Sequence, residues 1–248
     1  MLKLVDIKKD YLTGDNAVHA LKGVRLEFRE SEFVAIEGVS GCGKSSLLNI
    51  IGGLDQYTSG DLIINGKSTK HFTDGDWDAY RNHSVGFVFQ TYNLIPHQSV
   101  LQNVELALTL AGVGKKDRRE RAMAWLEFVS LADKADMSAG ELSYGQQKLL
   151  ALARIVALRP ALLLLDEPTA ALSPAMTKKM VELIKRLVAE QKLTTVLIEH
   201  NMGVVRELAD YIYFLHEGTV HTHGSQKEVL ENPAVRELYM GLSGGMAI

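Results

Sequence analysis

The sequence Gly-Val-Ser-Gly-Cys-Gly-Lys-Ser at residues 38–45 decides the fold, because it fits the pattern G-x-x-x-x-G-K-[ST] of a phosphate-binding loop. An apolar run at residues 33–36 precedes it, and a helix-like run at residues 46–51 follows it. Glycines in such a loop turn successive backbone N–H groups toward one anion, and the helix adds its positive N-terminal end. The eight letters alone also fit an ordinary glycine turn, but the flanking strand and helix favour a phosphate site. The sequence therefore predicts that the chain binds a nucleoside triphosphate.

Individual loop residues have expected roles. Lys44 is expected to reach the β- and γ-phosphates and Ser45 to ligate Mg²⁺, while Gly41 and Gly43 are expected where a Cβ would clash. Cys42 should place its sulfur beside the phosphate site, near a helix N-terminus and Lys44, surroundings that favour the thiolate. The predicted nucleotide-binding residues of this segment are Gly38, Ser40, Gly41, Cys42, Gly43, Lys44, Ser45 and Ser46.

Composition limits the class of protein. With 248 residues, 46% of them hydrophobic, the chain can form one large α/β domain or a core domain with a smaller insert. A formal net charge of −3 provides no basic field for nucleic acid or an anionic membrane. A single cysteine excludes an internal disulfide, and no apolar stretch reaches the roughly 18 residues that span a bilayer. We therefore expect a soluble, cytoplasmic protein that does not bind nucleic acid.

Apolar runs of strand length alternate with helical patterns, which predicts an α/β fold with a largely parallel, helix-covered sheet. These runs are residues 2–7, 24–28, 33–36, 62–64, 85–89, 161–165, 194–198 and 211–215. Strand signals vanish between Gln90 and Leu142, where Ser99 and Gln102 predict a capping box and residues 117–129 an amphipathic helix. We interpret residues 1–248 as a single ATP-binding domain with an inserted helical subdomain at residues 91–141.

Two adjacent carboxylates, Asp166 and Glu167, follow the apolar run at residues 161–165. A buried strand would deliver them to its C-terminal edge, where ligands bind in open α/β sheets. An ordinary strand ending in a solvated turn is the simpler interpretation, but the phosphate loop upstream favours a catalytic pair. Asp166 can then hold Mg²⁺ through water, and Glu167, pointing the other way, can polarise the water that attacks the γ-phosphate.

Residues 142–147, Leu-Ser-Tyr-Gly-Gln-Gln, shortly precede that strand and resemble the signature sequence of ATP-binding-cassette (ABC) transporters. The resemblance to their nucleotide-binding subunit covers nearly the whole chain. It implies a P-loop NTPase fold of the ABC ATPase type, with a RecA-like parallel-sheet core, an antiparallel N-terminal β subdomain and an inserted helical subdomain. It also implies a homodimer in the ATP-bound state, packed head to tail, in which each signature closes over the γ-phosphate held by the other subunit's loop.

Physical reasoning supports the signature as a second anion site. Ser143 can cap a helix beginning near Tyr144, so that a hydroxyl, backbone N–H groups and a helix dipole converge without a lysine. Such a serine more often serves helix structure alone. The predicted binding residues here are Ser143, Gly145 and Gln146.

Three further positions match the family. Gln90 corresponds to the glutamine that reaches Mg²⁺ and the attacking water, and His200 to the switch histidine that contacts the γ-phosphate. Tyr11 lies where the family stacks an aromatic ring on adenine. Taken singly, each also fits a structural role: a surface turn residue, a strand-end histidine and strand-edge packing. Ser173 is a departure, because many relatives have at this position an aspartate that crosses the dimer interface. The residue expected to carry cross-talk between the two sites is therefore replaced.

The two parts of the sequence resemble ATPases that have different types of partner. Residues 1 to about 130 are similar to ATPases paired with macrolide-exporter and lipoprotein-releasing permeases, whereas residues from about 140 onward are similar to ATPases of branched-chain amino-acid importers. The chain can be a mosaic joined near residues 130–140. We expect an ATPase that uses ATP and Mg²⁺ and lies on the cytoplasmic face of the membrane through a permease of the first type, with the branched-chain importer as the alternative.

Two other classes stay open: a non-transport ABC ATPase and a regulatory nucleotide-binding module. The first usually carries two cassettes or a long coiled coil, neither of which this sequence shows. A regulatory nucleotide-binding module does not need both Glu167 and His200, and this sequence has both.

Overall fold

The computed structural model describes residues 2–14, 16–89 and 93–242. The chain divides into two compact units, the first formed by Met1–Trp77 and Thr194–Ile248 and the second by Asp78–Leu193. Within the described ranges, no helix has both the length and the apolar character needed to cross a membrane.

Every apolar run predicted to be a strand is one. The strands are β1 Leu2–Thr13, β2 Asn16–Phe28, β3 Phe33–Gly38, β4 Ser59–Ile64, β5 Lys67–Ser68, β6 Val85–Val88, β7 Leu162–Asp166, β8 Thr194–Ile198, β9 Tyr211–His216 and β10 Thr219–Ser225. The helices are α1 Lys44–Ile51, α2 Asp74–His83, α3 Val100–Leu110, α4 Lys115–Phe128, α5 Tyr144–Val156, α6 Pro174–Gln191, α7 Met202–Leu208, α8 Gln226–Leu230 and α9 Pro233–Leu242. The helix predicted at residues 117–129 is α4.

The first unit contains an antiparallel sheet and a mainly parallel one. β1 pairs antiparallel with both β2 and β4, and β4 pairs with the short β5. β3 lies between β8 and β9 and is parallel to both, while β10 runs antiparallel beside β9. All six residues of β3 are buried, as expected for a central parallel strand covered on both faces. β3 ends at Gly38 and thereby delivers the phosphate loop at the carboxyl edge of these strands.

In the second unit, β6 and β7 pair in parallel, from Val85 opposite Leu162 to Val88 opposite Leu165. α5 packs against α3, α4 and β6. Its buried leucines include Leu149, Leu150 and Leu152, and burying a leucine fully contributes roughly 1.5–3 kcal/mol. The predicted capping box at Ser99 and Gln102 is present at the start of α3. β7 ends at Asp166, so Asp166 and Glu167 lie at the carboxyl end of this strand pair.

Candidate nucleotide site

The N-terminus of α1 is built differently from that of α3 or α5. Gly43 occupies the position before the helix with φ 101°, and within the described structure no side chain caps the first turn. Ser99 and Ser143, by contrast, cap α3 and α5 through their hydroxyls. An eight-residue helix whose N-cap residue is a glycine, with no side-chain cap, presents donors and a positive dipole end to an anion.

Close backbone approaches explain two of the glycines. A Cβ at Gly38 would lie 2.2 Å from the carbonyl oxygen of Leu215, and one at Gly43 would lie 2.5 Å from that of Ala20. The expectation of a clash at Gly43 is confirmed. At Gly41 it is wrong, because a Cβ there would meet nothing within 4 Å; its φ of 77° is what favours glycine.

Lys44 is buried and held inside the loop. Its Nζ donates hydrogen bonds of 2.7 Å to the carbonyl of Gly38 and 3.0 Å to that of Val39. A lysine ammonium has three donors and no acceptor, so its positive charge is fixed within the loop that α1 follows. Ser45 is exposed and Ser46 partly exposed in the first turn of α1.

Cys42 does not have the predicted thiolate-favouring surroundings. Its side chain is 3% exposed. Burial raises the pKa of the Cys42 thiol above its ordinary value, although the nearby Lys44 lowers it. The prediction was wrong because desolvation of the charged form outweighs the attraction of a lysine 3.9 Å from the sulfur. The sulfur also packs against Gly38, where a Cβ would come within 2.7 Å of it.

Tyr11 is exposed and held by three neighbours. Its hydroxyl donates to Asp55 at 2.7 Å, and its oxygen lies within hydrogen-bond distance of Ser46 Oγ, at 3.2 Å. Lys9 Nζ lies 4.6 Å from the centre of the ring and donates to Asp55 at 2.6 Å. Burial and the neighbouring Asp55 raise the pKa of the Tyr11 hydroxyl. The ring therefore sits in a fixed position beside the first turn of α1. Sequence reasoning gave no role to Lys9 or Asp55.

His200 is exposed just after β8, and its backbone is held by its neighbours. The buried carboxylate of Glu199 accepts hydrogen bonds from the N–H groups of His200, at 2.9 Å, and Asn201, at 3.2 Å. Asn201 in turn caps α7 by accepting from the N–H groups of Gly203 and Val204. Glu199 thus fixes the chain where His200 leaves the sheet. The only sequence signal for this role is an acid directly after an apolar strand.

In the second unit, the loop after β7 is held from α5. Asp166 and Glu167 are both partly exposed, and Glu167 adopts a left-handed φ of 49°. Lys148 Nζ donates to the carbonyl of Glu167 at 3.1 Å and to that of Ala170 at 2.7 Å. Sequence reasoning missed Lys148. Gln90, predicted to act beside this pair, lies outside the described residues.

The predicted cap of α5 is confirmed. Ser143 Oγ accepts from the N–H of Gln146 at 3.4 Å, and the N–H of Ser143 donates to Gln146 Oε1 at 3.0 Å. Gly145 lies close to Met176, whose Cγ would be 2.8 Å from a Cβ at that position. Ser173 caps α6, with Pro174 in the first turn.

Comparison with known proteins agrees with this architecture. A family model described as ABC transporter matches residues 21–170. The uncharacterized ABC transporter ATP-binding protein MJ0796 of Methanocaldococcus jannaschii is 39% identical over 224 residues, which cover 89% of this chain and 95% of that protein. The glutamine transport ATP-binding protein GlnQ of Geobacillus stearothermophilus is 39% identical over 218 residues, covering 87% of this chain and 88% of its own length.

A solved structure extends the similarity to three dimensions. The dimeric structure of a post-hydrolysis state of MJ0796 bound to ADP and Pi superposes with a TM-score of 0.83 at 38% identity, covering 91% of this chain and 98% of that chain. The expected ABC ATPase fold is thereby confirmed. The chain belongs to the ABC transporter family and is one of its ATP-binding subunits, an ATPase.

Proposed function

We propose that this subunit hydrolyses Mg-ATP as a head-to-tail homodimer and thereby drives a membrane permease. The observation that carries the proposal is the N-terminus of α1, where a glycine loop, a buried lysine and an uncapped first turn come together. This arrangement suits a polyphosphate, since backbone donors, a fixed cation and a helix dipole all favour negative charge. To reach a phosphate, Lys44 would exchange its contacts with the carbonyls of Gly38 and Val39 for phosphate oxygens.

Each remaining site residue receives a proposed role. Residues 38–46 cradle the phosphates, and Tyr11 stacks on the base with its ring held by Lys9 and Asp55. The hydroxyl of Ser45, the carboxylate of Asp166 and the amide oxygen of Gln90 are oxygen donors, which suit Mg²⁺. When bound, the ion would neutralise charge that develops on the phosphate oxygens. Glu167 accepts a proton from the attacking water, and His200 contacts the γ-phosphate.

The dimer follows from having two anion sites in one chain. Ser143, Gly145 and Gln146 at the start of α5 would meet the γ-phosphate held by a second subunit. The relative MJ0796 has been solved as a dimer bound to ADP and Pi, which supports a dimer here. Because Ser143 already accepts from Gln146, its hydroxyl hydrogen is the group left to donate to phosphate.

The permease that we favour is of the macrolide-exporter or lipoprotein-releasing type, placed on the cytoplasmic face of a membrane. Its support is the resemblance of residues 1 to about 130, and we assign the helical insert at residues 91–141 to the grip on the permease. An amino-acid importer is the second candidate, favoured by the branched-chain-type resemblance from residue 140 onward and by the name of the relative GlnQ, a glutamine transport protein.

Light scattering on a catalytically slowed variant tests the proposal. Glu167→Gln removes the water-polarising carboxylate but keeps the phosphate contacts, so with Mg-ATP it should hydrolyse slowly and remain dimeric. Lys44→Ala should weaken ATP binding and stay monomeric under the same conditions. If Glu167→Gln remains monomeric with Mg-ATP at tens of micromolar, an order-of-magnitude choice for weak interfaces, the head-to-tail dimer is wrong.

A further inference from the structure

Lys148 is a buried cation whose role the proposed mechanism does not include. It lies in α5, one turn after Tyr144, and only 3% of it is exposed. Its stem lies with Leu152, Leu165 and Met180 around a small apolar cavity, while its Nζ reaches polar groups. Burying a lysine is costly unless its donors are satisfied. Two of them go to the carbonyls of Glu167 and Ala170, at 3.1 and 2.7 Å.

These two carbonyls belong to a strained turn. Glu167 at φ 49° and Ala171 at φ 58° both have left-handed backbones, which residues other than glycine rarely adopt. Within the turn, the N–H of Ala170 donates to the carbonyl of Glu167 at 3.2 Å. The carbonyl of Glu167 therefore accepts from both Ala170 and Lys148. Such conformations persist only where surrounding contacts hold them, and Lys148 supplies two of these contacts.

The same ammonium also faces the signature sequence. Lys148 Nζ lies 5.5 Å from the centre of the Tyr144 ring, within range of a cation–π interaction. One side chain thus joins the start of α5 to the turn that carries Glu167.

We propose that Lys148 is a positioning residue for Glu167: its two hydrogen bonds hold the turn after β7 so that the Glu167 carboxylate is aimed at the attacking water. This inference rests on the proposed catalytic role of Glu167. Displacing a catalytic group by about 1 Å can cost about 100-fold in rate, so the effect should appear in kcat rather than in ATP affinity.

Steady-state hydrolysis by Lys148 variants tests this role. Lys148→Met keeps the apolar stem but removes both donors, and kcat should fall about 10- to 100-fold. The affinity for a fluorescent ATP analogue should stay within about twofold, because Lys148 is remote in sequence from the loop that binds phosphate. Lys148→Gln retains N–H donors, so its kcat should fall less than that of Lys148→Met. If the methionine variant does not fold, the glutamine variant provides the test. Lys178→Met, at an exposed lysine of α6, is the control and should match the unmodified protein.

A double-mutant cycle separates this proposal from the mechanism on which it rests. If Lys148 acts through Glu167, adding Lys148→Met to Glu167→Gln should cause little further loss of kcat. Full additivity, or an unchanged kcat in Lys148→Met, would overturn the positioning role. If Glu167→Gln alone hydrolyses ATP at the unmodified rate, the proposed catalytic role of Glu167 is wrong instead.

Discussion

Cys42, a buried thiol two residues before Lys44, shows whether burial or a nearby cation has the larger effect on the pKa of a thiol. Burial raises the pKa of Cys42, and the Lys44 cation only partly offsets it. At neutral pH the thiol therefore carries less thiolate than a free cysteine, and thiolate is the reactive form. Cys42 therefore acts as a small apolar side chain that fills space beside Gly38, and not as a reactive group.

Alkylation kinetics check this interpretation. We expect iodoacetamide to label folded Cys42 at least about tenfold more slowly than the urea-unfolded chain at the same pH, because the folded thiol is both buried and protonated. Cys42→Ser should keep ATPase activity within about twofold of the original, as the sulfur has no catalytic role. Equal labelling rates in the folded and unfolded protein would show that the sulfur is accessible and reactive after all.

Asp55 gives a pH-dependent prediction. Partial burial raises its pKa, but hydrogen bonds from Lys9, Tyr11 and the Gln56 N–H outweigh this and leave the pKa below its ordinary value. A carboxyl with a lowered folded-state pKa stabilises the fold above its unfolded pKa of about 4, and this contribution is lost as pH falls through the folded pKa.

Asp55→Asn should therefore lower Tm near neutral pH, and the difference in Tm from the original protein should close as pH falls from the ordinary carboxyl pKa of about 4 through the lowered folded-state pKa. Thermal unfolding followed by circular dichroism between acid and neutral pH measures this difference. Asp136→Asn, at an exposed carboxylate, is the matched control and should show little difference at any pH. A difference for Asp55→Asn that does not depend on pH would mean that its charge is not involved.

At the scale of elements, contacts between residues close together in the sequence could be predicted, whereas contacts between residues far apart could not. The capping boxes at Ser99 and Ser143 each join residues three apart in the sequence, so local spacing reveals them. Lys148 meets Ala170 across 22 residues and Lys9 meets Asp55 across 46, and no periodicity records such pairs. The parallel strands β3, β7 and β8 were predictable because buried parallel strands are largely apolar, whereas the two-residue β5 carries no such pattern.

The two capping boxes provide a matched pair for testing the signature. Ser143→Ala and Ser99→Ala each remove a serine cap, which costs about 1 kcal/mol, or a Tm decrease of about 2–4 °C for a chain of this size. Only Ser143→Ala should also weaken ATP-dependent dimerisation, since Ser143 is the cap proposed to meet phosphate. Light scattering in the Glu167→Gln background reads out the dimer. Equal weakening by both substitutions would make Ser143 a helix cap alone.

At the scale of the whole molecule, we propose that nucleotide chemistry and partner choice come from different parts of the sequence. The phosphate loop, Asp166 and Glu167 lie outside residues 91–130, the segment that we propose to select the permease. Ser173 caps α6, so this position serves the fold of its own subunit.

A segment exchange tests this separation. Replacing residues 91–130 with those of a branched-chain-type ATPase should change which permease co-purifies, while ATP affinity stays within about threefold, because the phosphate-binding residues are retained. The exchanged chain must first be shown to fold and hydrolyse ATP, since α3 packs against α5 and mismatched side chains there would strain the junction.

Pull-downs against both permease types then show which permease the exchanged chain binds. A folded, active exchange that still prefers a macrolide-exporter-type permease would place partner choice elsewhere, whereas an original chain that binds only branched-chain importer permeases would make the importer the correct assignment.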